Sequence, residues 1–259
     1  MSSVSIARQT GTDFLTAVQF LTRIPMPALP YDSGSLSRAV QFFPAVGMLL
    51  GVAAAVLYRL LSPHLSRLVT SLLVVTFLVF ITGCLHEDGL ADTADGFGGG
   101  RSREQILAIL KDSRIGSYGG AALALSLLAR VLLLASMPLA QVPRYLIAAH
   151  VLCRWTALPL SYYLSPARIE SGETATGQGA RIARLVSRKS LLVGSLFTLA
   201  ICIVTLRAQA AAAIGVAILV TLGTGMYFQR KIGGVTGDCF GATNQLAEIA
   251  VYLAGAWIA

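Results

Sequence analysis

The run LVTSLLVVTFLVFITGCLHEDGLADTADGFGGG, residues 68–100, decides both the fold and the chemistry of this chain. Its first 18 residues carry no charge. About 20 apolar residues in a helix cross a hydrocarbon core of ~30 Å. Directly after them come Glu87, Asp88, Asp92 and Asp95, four of the chain's 12 acidic residues within nine positions. Gly96, Gly98, Gly99 and Gly100 close the run. An apolar span that opens straight onto carboxylates reads as a membrane helix presenting a polar site at one bilayer surface.

The rest of the chain agrees. Over 259 residues only 12% are charged, about half the ~25% of soluble domains, and the mean hydropathy is +0.72. A disordered chain, a disulfide-built secreted scaffold, a coiled coil and an ordinary cytosolic enzyme are excluded. Cys84, Cys153, Cys202 and Cys239 form no C-x-x-C pair and read as small buried side chains. The net charge of +8 is dispersed rather than gathered on one element, so it speaks for topology and against nucleic acid.

Seven stretches qualify or nearly qualify as spans: 43–61, 68–85, 115–139, 145–164, 190–206, 208–229 and 240–259. The last is the weakest, because it carries Asn244 and Glu248. Ahead of them Phe14, Val18 and Leu21 recur at helical spacing before Pro25, Pro27 and Pro30, which predicts an interfacial amphipathic helix over 14–24. The expected fold is an all-α integral membrane protein, a bundle of about seven transmembrane helices with an N-terminal interfacial helix. It forms one catalytic domain, 1–259, with an arm at 1–41 and the bundle at 43–259. With the N-terminus in the cytoplasm, the loops 1–41, 86–114, 165–189 and 230–239 hold fourteen Lys and Arg. Arg59, Arg67, Arg144 and Arg207 fall on the other side, so the bias is positive-inside.

Continuing the second span as a helix puts Asp88, Asp92 and Asp95 at i, i+4 and i+7, all facing one way. Like charges so spaced destabilise a helix, and a divalent cation between them removes the penalty. Carboxylate oxygens without thiolates suit Mg²⁺ or Mn²⁺. The alternative is a solvated acidic helix end. Asp238 stands in a loop with four glycines, GGVTGDCFGA (233–242), which lets backbone N–H groups at Gly237 approach a phosphate while Asp238 completes a metal shell. An ordinary turn with an N-cap Asp fits the same residues. Asn244 and Glu248 stand at i, i+4 on the final span, where a carboxylate at bilayer depth favours a role. Arg101, Arg103, Lys111 and Arg114 flank the acidic cluster, where cations would hold transferring and leaving phosphates. Arg130 and Arg154 fall within spans and require pairing or snorkelling. His86 and His150 read as hydrogen-bonded interior histidines.

At this point a family resemblance enters. CLHEDGLADTADG (84–96) resembles the signature of the cobalamin synthase, or adenosylcobinamide-GDP ribazoletransferase, family. FLTRIPMP (20–27), FPAVG (43–47), KDSRIG (111–116) and TGDCFGA (236–242) are similar to further family blocks in the same order. The chain departs from that pattern at Glu87, where the family has an apolar residue, and at Gln245, where Glu is common. Both are therefore left out of the expected ligands, and the 165–180 loop has no clean match.

The resemblance implies a multi-pass enzyme of the bacterial inner membrane with its active site on the cytoplasmic side. It would join adenosylcobinamide-GDP to α-ribazole or α-ribazole 5′-phosphate, release GMP and use Mg²⁺. Asp88, Asp92, Asp95 and Asp238 are then the expected metal ligands. Asp95, Asp112 and Asp238 are the catalytic candidates, with Asp112 or Asp238 accepting the proton of the ribazole hydroxyl. Arg23, His86, Asn244 and Glu248 are expected to touch substrate. Two other readings compete, a CDP-alcohol phosphotransferase-like lipid enzyme and a divalent-cation transporter.

Overall fold

The computed structural model describes residues 3–26, 35–167 and 186–257; the 168–180 part of the unmatched loop lies outside them. The described residues are helical throughout, apart from one isolated parallel bridge between Pro166 and Val235. The helices are α1 (Ser3–Leu21), α2 (Ser35–Ala39), α3 (Phe43–Leu61), α4 (Arg67–Thr82), α5 (Leu85–Gly99) and α6 (Arg103–Ile109). After them come α7 (Ser117–Ser136), α8 (Val142–Trp155), α9 (Ala157–Tyr163), α10 (Arg188–Leu206), α11 (Ala210–Ile232) and α12 (Gly237–Trp257).

Three helical stretches are long and apolar enough to cross a membrane: Ser35–Leu61, Ser117–Ser136 and the 45-residue Arg188–Ile232, which comprises α10 and α11. The bent pair α4 and α5 makes a fourth if it is counted as one broken span. Large apolar side chains point outward from these helices, among them Leu49, Val56, Phe80, Leu125, Leu196, Val204, Leu219 and Met226. A soluble protein rarely exposes so continuous an apolar surface, and together these features suggest a membrane protein.

Two expected elements differ in outline. The N-terminal helix begins at Ser3 rather than at residue 14, and ends at Leu21 rather than at 24. Thr22 turns its hydroxyl back onto the Val18 carbonyl at 2.7 Å, and the chain leaves the helix ahead of Pro25. The second span does not continue as one helix into the acidic run. Gly83 and Cys84 both adopt left-handed backbone, at φ 62° and 59°. Cys84 N–H then bonds the Val79 carbonyl and Gly83 N–H the Phe80 carbonyl, which closes α4 with its last carbonyls satisfied. The axis turns by 88° before α5 begins. The N-terminal arm is pinned over this corner, with Arg23 N–H bonded to the Ile81 carbonyl at 2.7 Å and its side chain packed on Gly83, where a Cβ would strike it. Three of the four cysteines are buried as expected, and Cys84, at the corner, is exposed.

Candidate functional site

The turn at Gly83–Cys84 sets α5 across the bundle, so its residues lie beside the first turn of α12 rather than in line with α4. The two helices meet at Gly89 and Gly241. A Cβ on Gly89 would come within 3.0 Å of the Asp238 carbonyl and 3.1 Å of Gly241 Cα, so only glycine permits this crossing. The close approach places Asp238 over the turn that carries Asp88 and Asp92. Burial and the neighbouring charges of Asp88, Asp238 and Asp95 push the Asp92 carboxyl up to about 6. Asp88 is exposed, Asp92 and Asp238 are half-buried, and Thr236 Oγ1 donates to Asp238 Oδ2 at 3.1 Å.

A cavity of about 320 Å³ opens here, with Asp88, Asp238, His86, Arg154, Gly237 and Asn244 on its walls and Phe20, Phe43 and Phe240 closing it. The N-terminus of α12, with Gly237 and Asp238 in its first turn, faces this space. Free N–H groups at a helix start accept an anion. An oxygen-only donor set beside such a helix start is the arrangement that a cation-bridged phosphate needs. Among the described residues the oxygens of the aspartates do not all lie within 4.8 Å of one another, so the set is open rather than a closed cage.

Several residues expected at this site are placed elsewhere. Asp95 is turned onto the start of α7, where its two oxygens accept Gly116 N–H at 2.6 Å and Gly119 N–H at 2.9 Å. It is 9% exposed and caps that helix, satisfying orphan donors at the positive end of the dipole. Asp112 is held by Arg114 through Nε and NH2 at 3.0 and 2.6 Å, which fixes its carboxyl down at about 2, the wrong direction for a general base. That pair also occupies Arg114. Arg103 reaches back to the carbonyls of Ile232 at 2.9 Å and Ala167 at 2.6 Å, tying α6 to the end of α11. Arg101 and Lys111 are exposed and do not line the cavity.

Glu248 lies below the cavity instead of on its wall. It is 2% exposed and faces Arg130 NH1 at 3.7 Å and His150 Nε2 at 3.9 Å. Arg130 NH2 also holds Glu87 Oε1 at 2.9 Å. Gln245 Nε2 donates to the same Glu87 oxygen at 3.3 Å while accepting from Ser126 at 3.0 Å. Glu87 and Gln245, the two departures from the family pattern, are thus partners in one buried network. His150, Arg130 and Arg154 were legible only as interior polar residues; sequence separations of up to 158 positions hid the network that they join. Their common signal was the cost of a charge inside an apolar span.

Fold and site describe a helical protein with apolar, membrane-type helices that sets two carboxylates, Asp88 and Asp238, on the wall of a cavity at a helix crossing. The chain belongs to the cobalamin-5-phosphate synthase family, whose sequence pattern matches residues 13–256. It is 41% identical to the adenosylcobinamide-GDP ribazoletransferase of Sinorhizobium medicae, with 94% of this chain and 95% of that one aligned. It is 40% identical to the enzyme of the same name from Vibrio cholerae, over 93% of this chain and 91% of that one. For the Polaromonas protein of that name the values are 36%, 93% and 95%. No solved structure matches the chain. The matches give no support to the lipid-enzyme or transporter readings.

Proposed function

We propose that the protein joins adenosylcobinamide-GDP to α-ribazole or α-ribazole 5′-phosphate, forming adenosylcobalamin or its 5′-phosphate and releasing GMP. The observation that carries this reading is the family match across residues 13–256 in a chain whose cavity is walled by Asp88 and Asp238. The catalytic unit is a single membrane-embedded domain.

The donor set fits magnesium. Asp88, Asp92 and Asp238 offer only oxygen, burial and their neighbouring charges raise Asp92, and Mg²⁺ needs just one or two carboxylates besides substrate phosphates and water. Asp88 and Asp92 would hold the ion, and its charge would neutralise the diphosphate and stabilise GMP as the leaving group. The first turn of α12, with Gly237, holds one phosphate by backbone N–H groups. The α-ribazole hydroxyl oxygen bonds to the cobinamide-side phosphorus, and the bond from that phosphorus to the bridging oxygen breaks. GMP leaves with the bridging oxygen. With Asp88 and Asp92 on the metal, Asp238 is the carboxylate left to accept the hydroxyl proton, a contribution of about 10²–10⁴ in rate for a positioned base.

We read α3, α4, α7, the α8–α9 pair, α10, α11 and α12 as seven crossings, with α1 in the interface and α5 along the cytoplasmic surface of the inner membrane. The 45 residues of Arg188–Ile232 would extend ~68 Å as one helix, over twice the ~30 Å core. Arg207, at φ 54°, divides them. The test is direct. Purified protein with adenosylcobinamide-GDP, α-ribazole and Mg²⁺ should release GMP, and EDTA should stop it; CMP release from CDP-diacylglycerol in its place would refute the assignment.

A further inference from the structure

The end of the bundle away from the cavity gathers arginines where the sequence places no acid. No Asp or Glu occurs in residues 33–86, 113–169 or 174–237, so α3, α8 and α10 and the turns at this end hold none, while Arg59, Arg67, Arg144 and Arg207 stand there. α3 runs from Phe43 at the cavity to Arg59, ~24 Å along its axis, and α8 runs back from Arg144 to Arg154 on the cavity wall. That distance is most of a ~30 Å hydrocarbon core. The two helices pack antiparallel through glycine: a Cβ on Gly47 would strike the His150 carbonyl, and one on Gly51 would lie 2.7 Å from Ile147 Cα. One turn beyond Gly51 the seam opens into a groove of about 220 Å³ between α3, α8 and the end of α10.

The floor of this groove is apolar. Ala55 and Pro143 are buried in it, Ile147 is half-buried, and Val52 and Val56, 42% and 52% exposed, continue it onto the outward face of α3. Thr205 adds no free donor, since its hydroxyl is turned onto the Ile201 carbonyl at 2.7 Å. Arg59 and Arg144 stand on its walls, both exposed, and neither has a carboxylate partner among the described residues. Two guanidinium groups from different helices over one apolar trough match a phosphodiester that carries an acyl chain. Their stems lie along hydrocarbon while their heads reach headgroup level. A free phosphate has nothing to place on Val52 and Val56. A zwitterionic headgroup brings its own cation beside these two, where no acid receives it; a lipid of net negative charge brings none.

We propose that Arg59 and Arg144 form a binding site for one anionic phospholipid, of the phosphatidylglycerol kind, in the leaflet opposite the cavity, with its phosphate between the guanidinium groups and an acyl chain along Val52, Val56 and Ile147. This rests on the reading of α3, the α8–α9 pair and α10 as crossings. Native mass spectrometry of the delipidated protein in detergent, given equimolar phosphatidylglycerol and phosphatidylcholine, should show the anionic lipid retained about tenfold or more over the other, a readout that needs no variant to fold. Phosphatidylglycerol should also raise the melting temperature, and inorganic phosphate at the same concentration should not. Arg59→Gln combined with Arg144→Gln should lose that rise while melting like wild type in detergent alone, and the two lysine replacements should recover part of it. Equal retention of the two lipids, equal stabilisation by inorganic phosphate, or an undiminished rise in the double glutamine variant overturns the site. A chain that stays soluble without detergent overturns the crossings, and the site with them.

Discussion

Two groups of charges lie on either side of the α5–α12 crossing, and they are built on opposite principles. Beneath it, Glu87 and Glu248 face Arg130, with Gln245 donating to Glu87 Oε1, Ser126 donating to Gln245 and His150 beside Glu248, all nearly inaccessible to water. Above it, Asp88 and Asp238 line the cavity with Asp92 close by, and burial together with these neighbouring charges raises Asp92. The lower group pairs its charges across helices, although Glu87 Oε2, Arg130 Nε and Glu248 Oε1 are buried without a hydrogen-bond partner. The upper one gathers like charges, which is the arrangement that the proposed cation would relieve. Acidic residues adjacent in sequence, Glu87 and Asp88, belong to different groups because they point to different sides of one helix.

Substitutions should separate the two groups sharply. The largest effect is expected for Asp92→Asn or Asp88→Asn: GMP release falls by two or more orders of magnitude, about 3 kcal/mol of barrier or more, while the melting temperature holds or rises. Wild-type rates in a correctly inserted Asp92→Asn protein would end the metal scheme. Next is Arg130→Met, which strands two buried carboxylates and should cost about 3–5 kcal/mol of stability, read as a drop in melting temperature in detergent. If that protein melts like wild type, the lower group is not structural.

A pH series tests the same contrast more finely. Asp92 binds its proton more tightly in the folded chain than an ordinary aspartate does, so its ionisation opposes folding. Without Mg²⁺, stability should therefore fall as pH rises from about 4 to 6 and then level off, and Asp92→Asn should flatten that part of the curve. Added Mg²⁺ should flatten it too. The smallest effect is expected for Asp112→Ala, because Asp112 is engaged by Arg114 on the surface. GMP release should stay within about twofold of wild type. A loss of a hundredfold would return Asp112 to the reacting centre.

Much of the architecture was legible without coordinates. Spans 43–61, 190–206 and 208–229 correspond to α3, α10 and α11 within a few residues, because an unbroken apolar run has no other way to satisfy its backbone in lipid. The 145–164 stretch is divided at Thr156 into α8 and α9, a break that apolar composition does not register. The acidic run was legible as a cluster, and Asp88 and Asp238 line one cavity with Asp92 near enough to feel both charges. Asp95 looked equivalent to its neighbours at helical spacing, yet the start of α7 claims it. Periodicity describes one helix, and what that helix packs against is a separate fact. Arg103 and Asp112 were misread for the same reason, since their partners lie on other elements or at a turn.

By itself the sequence determined that this chain is helical and apolar, that its carboxylates cluster after the second span, and which family it resembles. These follow from composition, local spacing and conserved order of short blocks along one chain. Only the tertiary structure decided which carboxylates share a space and which are neutralised by arginines. The reason is physical: burial and charge pairing depend on distances between side chains far apart in sequence. Here those distances are set by a left-handed corner at Gly83–Cys84 and a glycine crossing at Gly89 and Gly241.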